Sequence, residues 1–262
     1  MHSTHLVQYE NVKIEVKAQG QGALVVLLPS LGRDCEDFEI LVAELAAKGY
    51  RALCPTPRGV GGSQGPDTNI SLHTYAQDIA QVIAHEANGP AVILGHAFGN
   101  WVARATAADH PMLVKGVVIA AAASKNFDPR LSQYIDKCED TSLPEEERIH
   151  YLRLAFFAPA NDPRPWLNGW HPHLKAAQRS ARAATKLEDF WGAGSAPLLD
   201  LMAADDPFRS PSTRDENRQA FGERVSTAII PNSSHALIAE QPMAVAHAVC
   251  RWMQALQAGP VK

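Results

Sequence analysis

Hydrophobic and polar residues along this chain follow two periods that alternate. Residues 12–20, VKIEVKAQG, switch between apolar and polar side chains at every step, the period of a strand with one buried face. ALVVLLP (23–29) and AVILGH (91–96) are unbroken apolar, β-rich runs, the pattern of strands covered on both faces of a parallel sheet. Between them, FEILVAELAAKGY (38–50) and LHTYAQDIAQVIAHEANG (72–89) carry helical spacing and close at Gly49 and Gly89. The rhythm resumes with a helix in NWVARATAADHP (100–111) and strands in VKGVVIAAAA (114–123) and PLLDLMAA (197–204). A helix from Thr213 to Phe221, a strand VSTAII (225–230) and a final helix from Pro242 to about Gln257 complete it. This order predicts an α/β fold, a mostly parallel central sheet flanked by helices.

One stretch breaks the rhythm. From Ser124 to Ser195 no strand pattern occurs, whereas PEEERIHYLRLAFF (144–157) and HLKAAQRSARAATKLEDFW (173–191) are helical. The expected organisation is a core formed by residues 1–123 and 196–262, with 124–195 inserted after the sixth strand as an all-helical cap over the strand ends. There is no internal repeat.

Composition narrows the choice of partner. The 262 residues are 46% hydrophobic and 20% charged, enough apolar material for a sizeable core. With 24 basic against 28 acidic residues and a net charge of −4, the chain lacks the footprint of a nucleic-acid or anionic-membrane binder. A small molecule is the expected partner. The opening MHSTHLVQYENVKIEV lacks a basic and then apolar leader pattern, and no apolar run reaches the roughly 18 residues of a membrane span, which predicts a soluble, cytoplasmic protein. Cys35, Cys54, Cys138 and Cys250 have no C-x-x-C spacing, so they are expected as reduced filler, in neither a zinc site nor a disulfide framework.

Residues 95–99, GHAFG, lie between an apolar strand and a helix. A G-x-S-x-G pentapeptide there is the nucleophile elbow of serine hydrolases, and Ala97 stands where the nucleophile would be. LLPSLGRDCEDF (27–38) resembles an oxyanion loop, with Pro29 and Ser30 where His-Gly is common. CPTPRGVGGSQGP (54–66), LLDLMAADDPFRSP (198–211) and IIPNSSHALIAEQP (229–242) resemble the loop after the fourth strand, the strand end that delivers an acid, and the loop that delivers a histidine. Over nearly its whole length the chain resembles the α/β-hydrolase superfamily.

That resemblance implies a site. His235 is the general base, and Asp206 is the acid that fixes its tautomer. Asp205 competes for that role, although the family's acid usually precedes a proline, as Asp206 does. The backbone N–H groups of Leu31 and Phe98 form the oxyanion hole. Ser30 lies beside it, and His96 is a candidate for the pocket floor. In the cap, Phe157, Trp166 and Trp170 are candidates to line an apolar substrate pocket, and His171 and Arg164 to hold a carboxylate or hydroxyl. No G-x-G-x-x-G turn and no metal-ligand spacing occurs, so neither cofactor nor metal is expected.

Three explanations of Ala97 stand at this point: a Ser-to-Ala replacement, a natural branch using the His235–Asp206 dyad on water or a substrate proton, and a small-molecule-binding protein without catalysis. An ester, a lactone and a carbon–carbon bond next to a carbonyl all suit the expected site.

Overall fold

The computed structural model describes residues 2–258, which build one eight-stranded sheet. Its strands are β1 (His2–Tyr9), β2 (Val12–Gln19), β3 (Leu24–Leu28), β4 (Arg51–Pro55), β5 (Ala91–His96), β6 (Val114–Ala120), β7 (Leu198–Ala203) and β8 (Val225–Ile230). They lie in the order β1-β2-β4-β3-β5-β6-β7-β8. β2 runs antiparallel to both β1 and β4, and every other pairing is parallel. In β2, Val12, Ile14 and Val16 are buried while Lys13 and Lys17 are exposed, so the two-residue period of the sequence is the two faces of an outer strand. β3 and β5 are buried at every residue, as their unbroken apolar runs require.

Helices cover both faces. On one, α2 (Leu72–Glu86) and α3 (Phe98–Asp109) pack over Val26, Ile93 and Ile119. On the other, α1 (Glu39–Ala47) and, further along the chain, α10 (Pro242–Ala258) pack over Val25, Leu27 and Val92. No described helix is long and apolar enough to cross a membrane.

Between β6 and β7 lie α4 (Arg130–Glu139), α5 (Glu145–Ala155), a 3₁₀ turn (Arg164–Leu167), α6 (Pro172–Ala183) and α7 (Leu187–Phe190). No strand interrupts them among the described residues, but the stretch is helical in pieces, with loops between. The expected helix over 173–191 breaks after α6, because the Thr185 hydroxyl turns back to donate to the Ala181 carbonyl while accepting the Leu72 N–H. This segment has a core of its own: Leu131, Leu152, Phe156, Phe157 and Trp166 pack with Phe208 and Ala236 from the loops after β7 and β8. The expected helix from Thr213 is shorter, a 3₁₀ turn (Pro211–Thr213) followed by α8 (Glu216–Phe221). A short α9 (Leu237–Glu240) precedes α10.

The cysteines need a correction. Cys35 and Cys54 form a disulfide, their Cα atoms 5.8 Å apart, while Cys138 and Cys250 are free and buried. No motif signals the pair, because the loop before α1 meets the end of β4 only in the fold.

The turn from β5 into α3 explains its glycines. Ala97 takes φ 46° and ψ −109°, a strained conformation for a residue with a Cβ. A Cβ on Gly99 would collide with the carbonyl oxygens of Leu28 and Pro29, and one on Gly95 with the backbone of Gly99 and Asn100. Gly99→Ala is therefore expected to cost about 3 kcal/mol and lower Tm by roughly 5–10 °C, read by thermal and urea unfolding. Ala97→Gly, which relieves the positive φ, is expected to leave stability the same or raise it. Equal losses in the two variants would show that backbone contact is not what the glycines serve.

Candidate active site

Three loops at the carboxyl ends of the strands converge. Asp206 lies in the turn after β7, where its Oδ1 accepts the Phe208 N–H at 2.9 Å, and its carboxylate is buried. His235 lies between β8 and α9, its ring stacked at a tilt on Phe208 with centroids 4.2 Å apart. His235 Nδ1 is 3.0 Å from Asp206 Oδ2 and 3.1 Å from Oδ1. A carboxylate at Nδ1 selects the tautomer with the proton on Nδ1, which leaves the Nε2 lone pair for chemistry. Asp205 points away, exposed, and only its backbone joins this loop, its N–H donating to the Ser233 carbonyl at 2.9 Å.

His235 opens on a cavity of about 230 Å³ whose wall includes Ser30, Leu31, Ala97, Phe98, Trp101 and Phe156. Phe98 begins α3, so its N–H has no acceptor within the helix. The Ala97 methyl sits on the same wall as His235.

Other expected residues lie elsewhere. His96 is not on the cavity wall: it is fully buried behind His235, and its Nε2–H donates to the His235 carbonyl at 2.7 Å. Phe157, Trp166 and Trp170 do not reach the cavity either. Phe157 and Trp166 pack edge to face in the helical segment's own core, and the Trp170 Nε1–H donates to the Trp166 carbonyl. Arg33 stacks on both tryptophans, 4.5 and 4.8 Å from their ring centroids. Arg164 pairs with Asp162 at the surface and His171 with Asp34.

The sequence reading missed several residues that hold the site. Glu240 accepts N–H groups of Ser234 at 2.5 Å and Ala158 at 2.7 Å, tying the histidine loop to the end of α5. From α6, Gln178 Oε1 accepts the Gly32 N–H at 2.8 Å, and just before it the His171 N–H donates to the Gly32 carbonyl at 2.9 Å. Beneath the elbow a buried polar chain runs across the sheet. Asn100 Nδ2 donates to the Ala97 carbonyl and its Oδ1 accepts from Arg104 Nε; Arg104 and Asp200 both bind Asn217. Arg209 then pairs with Asp200 at 2.8 Å, and its N–H donates to the Asp206 carbonyl. Arg164 and His171 are the expected polar contacts of the helical segment, yet the arginines that line the cavity are Arg179 and Arg182 of α6. Their three-residue spacing on one helical face was the available signal.

Burial lowers the His96 pKa to about 3, with the neighbouring His235 a smaller contributor. The native state thus keeps His96 neutral while the unfolded chain binds one proton more below the ordinary value of 6.5, so stability falls as pH drops from about 6.5 toward 3. At pH 5 this group is expected to remove about 2 kcal/mol relative to neutral pH. His5 shifts in the same direction, also chiefly through burial. In His96→Gln, which keeps a donor for the His235 carbonyl, the loss measured by urea unfolding between pH 7 and pH 5 is expected to shrink by that amount. An unchanged loss would mean that His96 takes up a proton in the native state.

The model of the family described as "Alpha/beta hydrolase family" matches residues 25–248. A 2-(acetamidomethylene)succinate hydrolase from Mesorhizobium japonicum is 30% identical over 112 residues, 43% of this chain and 40% of that protein. A soluble epoxide hydrolase from a Corynebacterium species is 25% identical over 115 residues, 44% of this chain and 40% of that protein. The match thus spans about two fifths of the length of these curated relatives. Among solved structures, an esterase from Exiguobacterium antarcticum superposes with a TM-score of 0.79 over 97% of this chain and 100% of its own, at 20% identity.

Proposed function

The chain belongs to the alpha/beta hydrolase family, and on that premise we propose that it is an enzyme attacking a small organic substrate at a carbonyl, with His235 as general base. The observation that carries this reading is the Asp206–His235 pair, 3.0 Å apart, opening on a cavity whose wall holds Ala97. An ester, a lactone and a carbon–carbon bond next to a carbonyl fit it. A methyl group cannot attack, so water takes that part. His235 Nε2 removes a proton from water as the water oxygen bonds to the carbonyl carbon. The electron pair moves onto the carbonyl oxygen, which the N–H groups of Leu31 and Phe98 stabilise. As that oxyanion collapses, the bond to the leaving group breaks. The imidazolium returns its proton to the departing oxygen of an ester or lactone, or to the departing carbanion or enolate where a carbon–carbon bond is cleaved. Asp206 stays ionised throughout and stabilises the imidazolium. The helical segment 124–195 serves as a cap that shapes the cavity.

The methyl at position 97 also favours a second reading, a small-molecule-binding protein that has kept the pocket without turnover. A panel of p-nitrophenyl esters, lactones and β-diketones, run against four proteins, separates the readings: the chain as given, Ala97→Ser, and each with His235→Ala added. Activity of the chain as given is expected, lost by about 100-fold or more with His235→Ala. Activity confined to Ala97→Ser and abolished by His235→Ala would identify a serine hydrolase lacking its nucleophile. Four inert proteins that still bind a small molecule by calorimetry would leave the binding reading.

A further inference from the structure

The cavity beside His235 carries charge of one sign only. Among its lining residues are Arg179 and Arg182, one helical turn apart on α6, and no Asp or Glu. The two arginines differ in what neutralises them. Arg179 donates to Asp136 at 2.9 Å, a carboxylate it shares with Lys175. Arg182 has no carboxylate within ion-pair distance among the described residues. Its guanidinium is stacked on Trp101 and Phe190, 5.1 and 5.0 Å from their ring centroids, and its one hydrogen bond goes from one terminal nitrogen to the Thr185 carbonyl at 3.0 Å. The aromatic rings shield part of the guanidinium from water, while its remaining N–H groups have no protein acceptor among the described residues.

A half-buried cation without a counter-ion is costly to hold unless something else neutralises it. Its desolvation shows in a pKa below the ordinary arginine value, with no carboxylate acting against it. The buried arginines are better satisfied: Arg58, Arg33 and Arg209 pair with Asp78, Asp37 and Asp200. Arg104 and Arg148, which have no carboxylate partner among the described residues, each donate two or more hydrogen bonds to carbonyl or amide oxygens. Arg182 differs from these in having a single hydrogen bond, and it lines the cavity.

Resting on the reading of this cavity as the substrate site, we propose that Arg182 receives a carboxylate of the substrate, so that the substrate is an anionic carbonyl compound held at its carboxylate end under α6 and at its carbonyl end by Leu31 and Phe98. A guanidinium with unused N–H groups in a cavity wall suits a carboxylate, which takes two parallel N–H bonds from it.

The test reads binding without turnover, in the His235→Ala background. Monomethyl succinate, glutarate and adipate are titrated by calorimetry, each beside the neutral analogue in which a carboxamide replaces the free acid. For at least one chain length the acid is expected to bind about tenfold or more tightly than the amide. Arg182→Gln is expected to bring that ratio close to one. Arg182→Lys, which keeps the charge but not the fork, is expected to lower it by about threefold or more. Arg218→Gln, at an exposed arginine paired with Glu223, is the control and leaves the ratio unchanged. Thermal unfolding checks that each variant is folded; if Arg182→Gln is not, the lysine variant decides. No acid preference at any chain length, or a ratio that survives in the folded Arg182 variants, overturns the proposal. Because catalysis is absent from the assay, a chain that hydrolyses none of the half-esters but keeps an Arg182-dependent ratio supports this inference and counts against the catalytic reading alone. Hydrolysis with no acid preference does the reverse.

Discussion

The close approach of α3 to β3 and β5 is the constraint on which the rest of this site depends. Gly99 lies against the carbonyls of Leu28 and Pro29, and Gly95 against the first turn of α3, with no room for a Cβ at either place. That contact holds Ala97 in a strained turn and aims the N-terminus of α3 into the cavity. It brings the loop of Ser30 and Leu31 beside the elbow, so the two N–H groups of the proposed oxyanion hole come from separate segments that meet because of missing side chains. None of this needs a hydroxyl at position 97, which is why the elbow keeps its shape with a methyl there.

A second constraint keeps the acid in register with the elbow. The buried chain from the Ala97 carbonyl through Asn100, Arg104, Asn217, Asp200 and Arg209 ends at the carbonyl of Asp206. Burial raises the Asp200 pKa and lowers that of Arg104 to about 10, and Arg209 opposes the first shift as Asp200 opposes the second. Such a network is expensive if half made, since removing one member strands the others in a dry environment. It joins residues more than 100 positions apart in the chain and links the two halves of the site, meeting the cavity wall at Asn100.

Much of this was legible in the sequence wherever local pattern and place coincide. Unbroken apolar runs marked the inner strands β3 and β5, the glycine-flanked pentapeptide marked the elbow, and the loops carrying Asp206 and His235 stood at the ends of strands that periodicity identified. What stayed hidden depends on direction across the fold. Trp166 and Trp170 look like pocket residues by composition, but their rings turn toward Arg33 and the segment's own core. His96 precedes Ala97 by one residue and therefore points to the opposite side of the strand end, toward the His235 backbone. The Cys35–Cys54 pair and the Asn100-to-Arg209 chain arise from crossings between distant segments, which spacing along the chain does not encode. Arg179 and Arg182 carried a helical spacing, yet nothing local says which face of α6 meets the cavity.

The bonds between α6 and the loop after β3 have a dynamic consequence. Gly32 is held at its N–H by Gln178 and at its carbonyl by the backbone of His171, so the peptide following Leu31 is clamped by the helical segment and not by the sheet. Any displacement of α6 would withdraw that clamp and free the loop that carries the Leu31 N–H. The same helix carries Arg182, so the loop and that arginine are tied to one element. The shape of this part of the cavity wall is therefore set by the helical segment as much as by the strand from which the loop leaves.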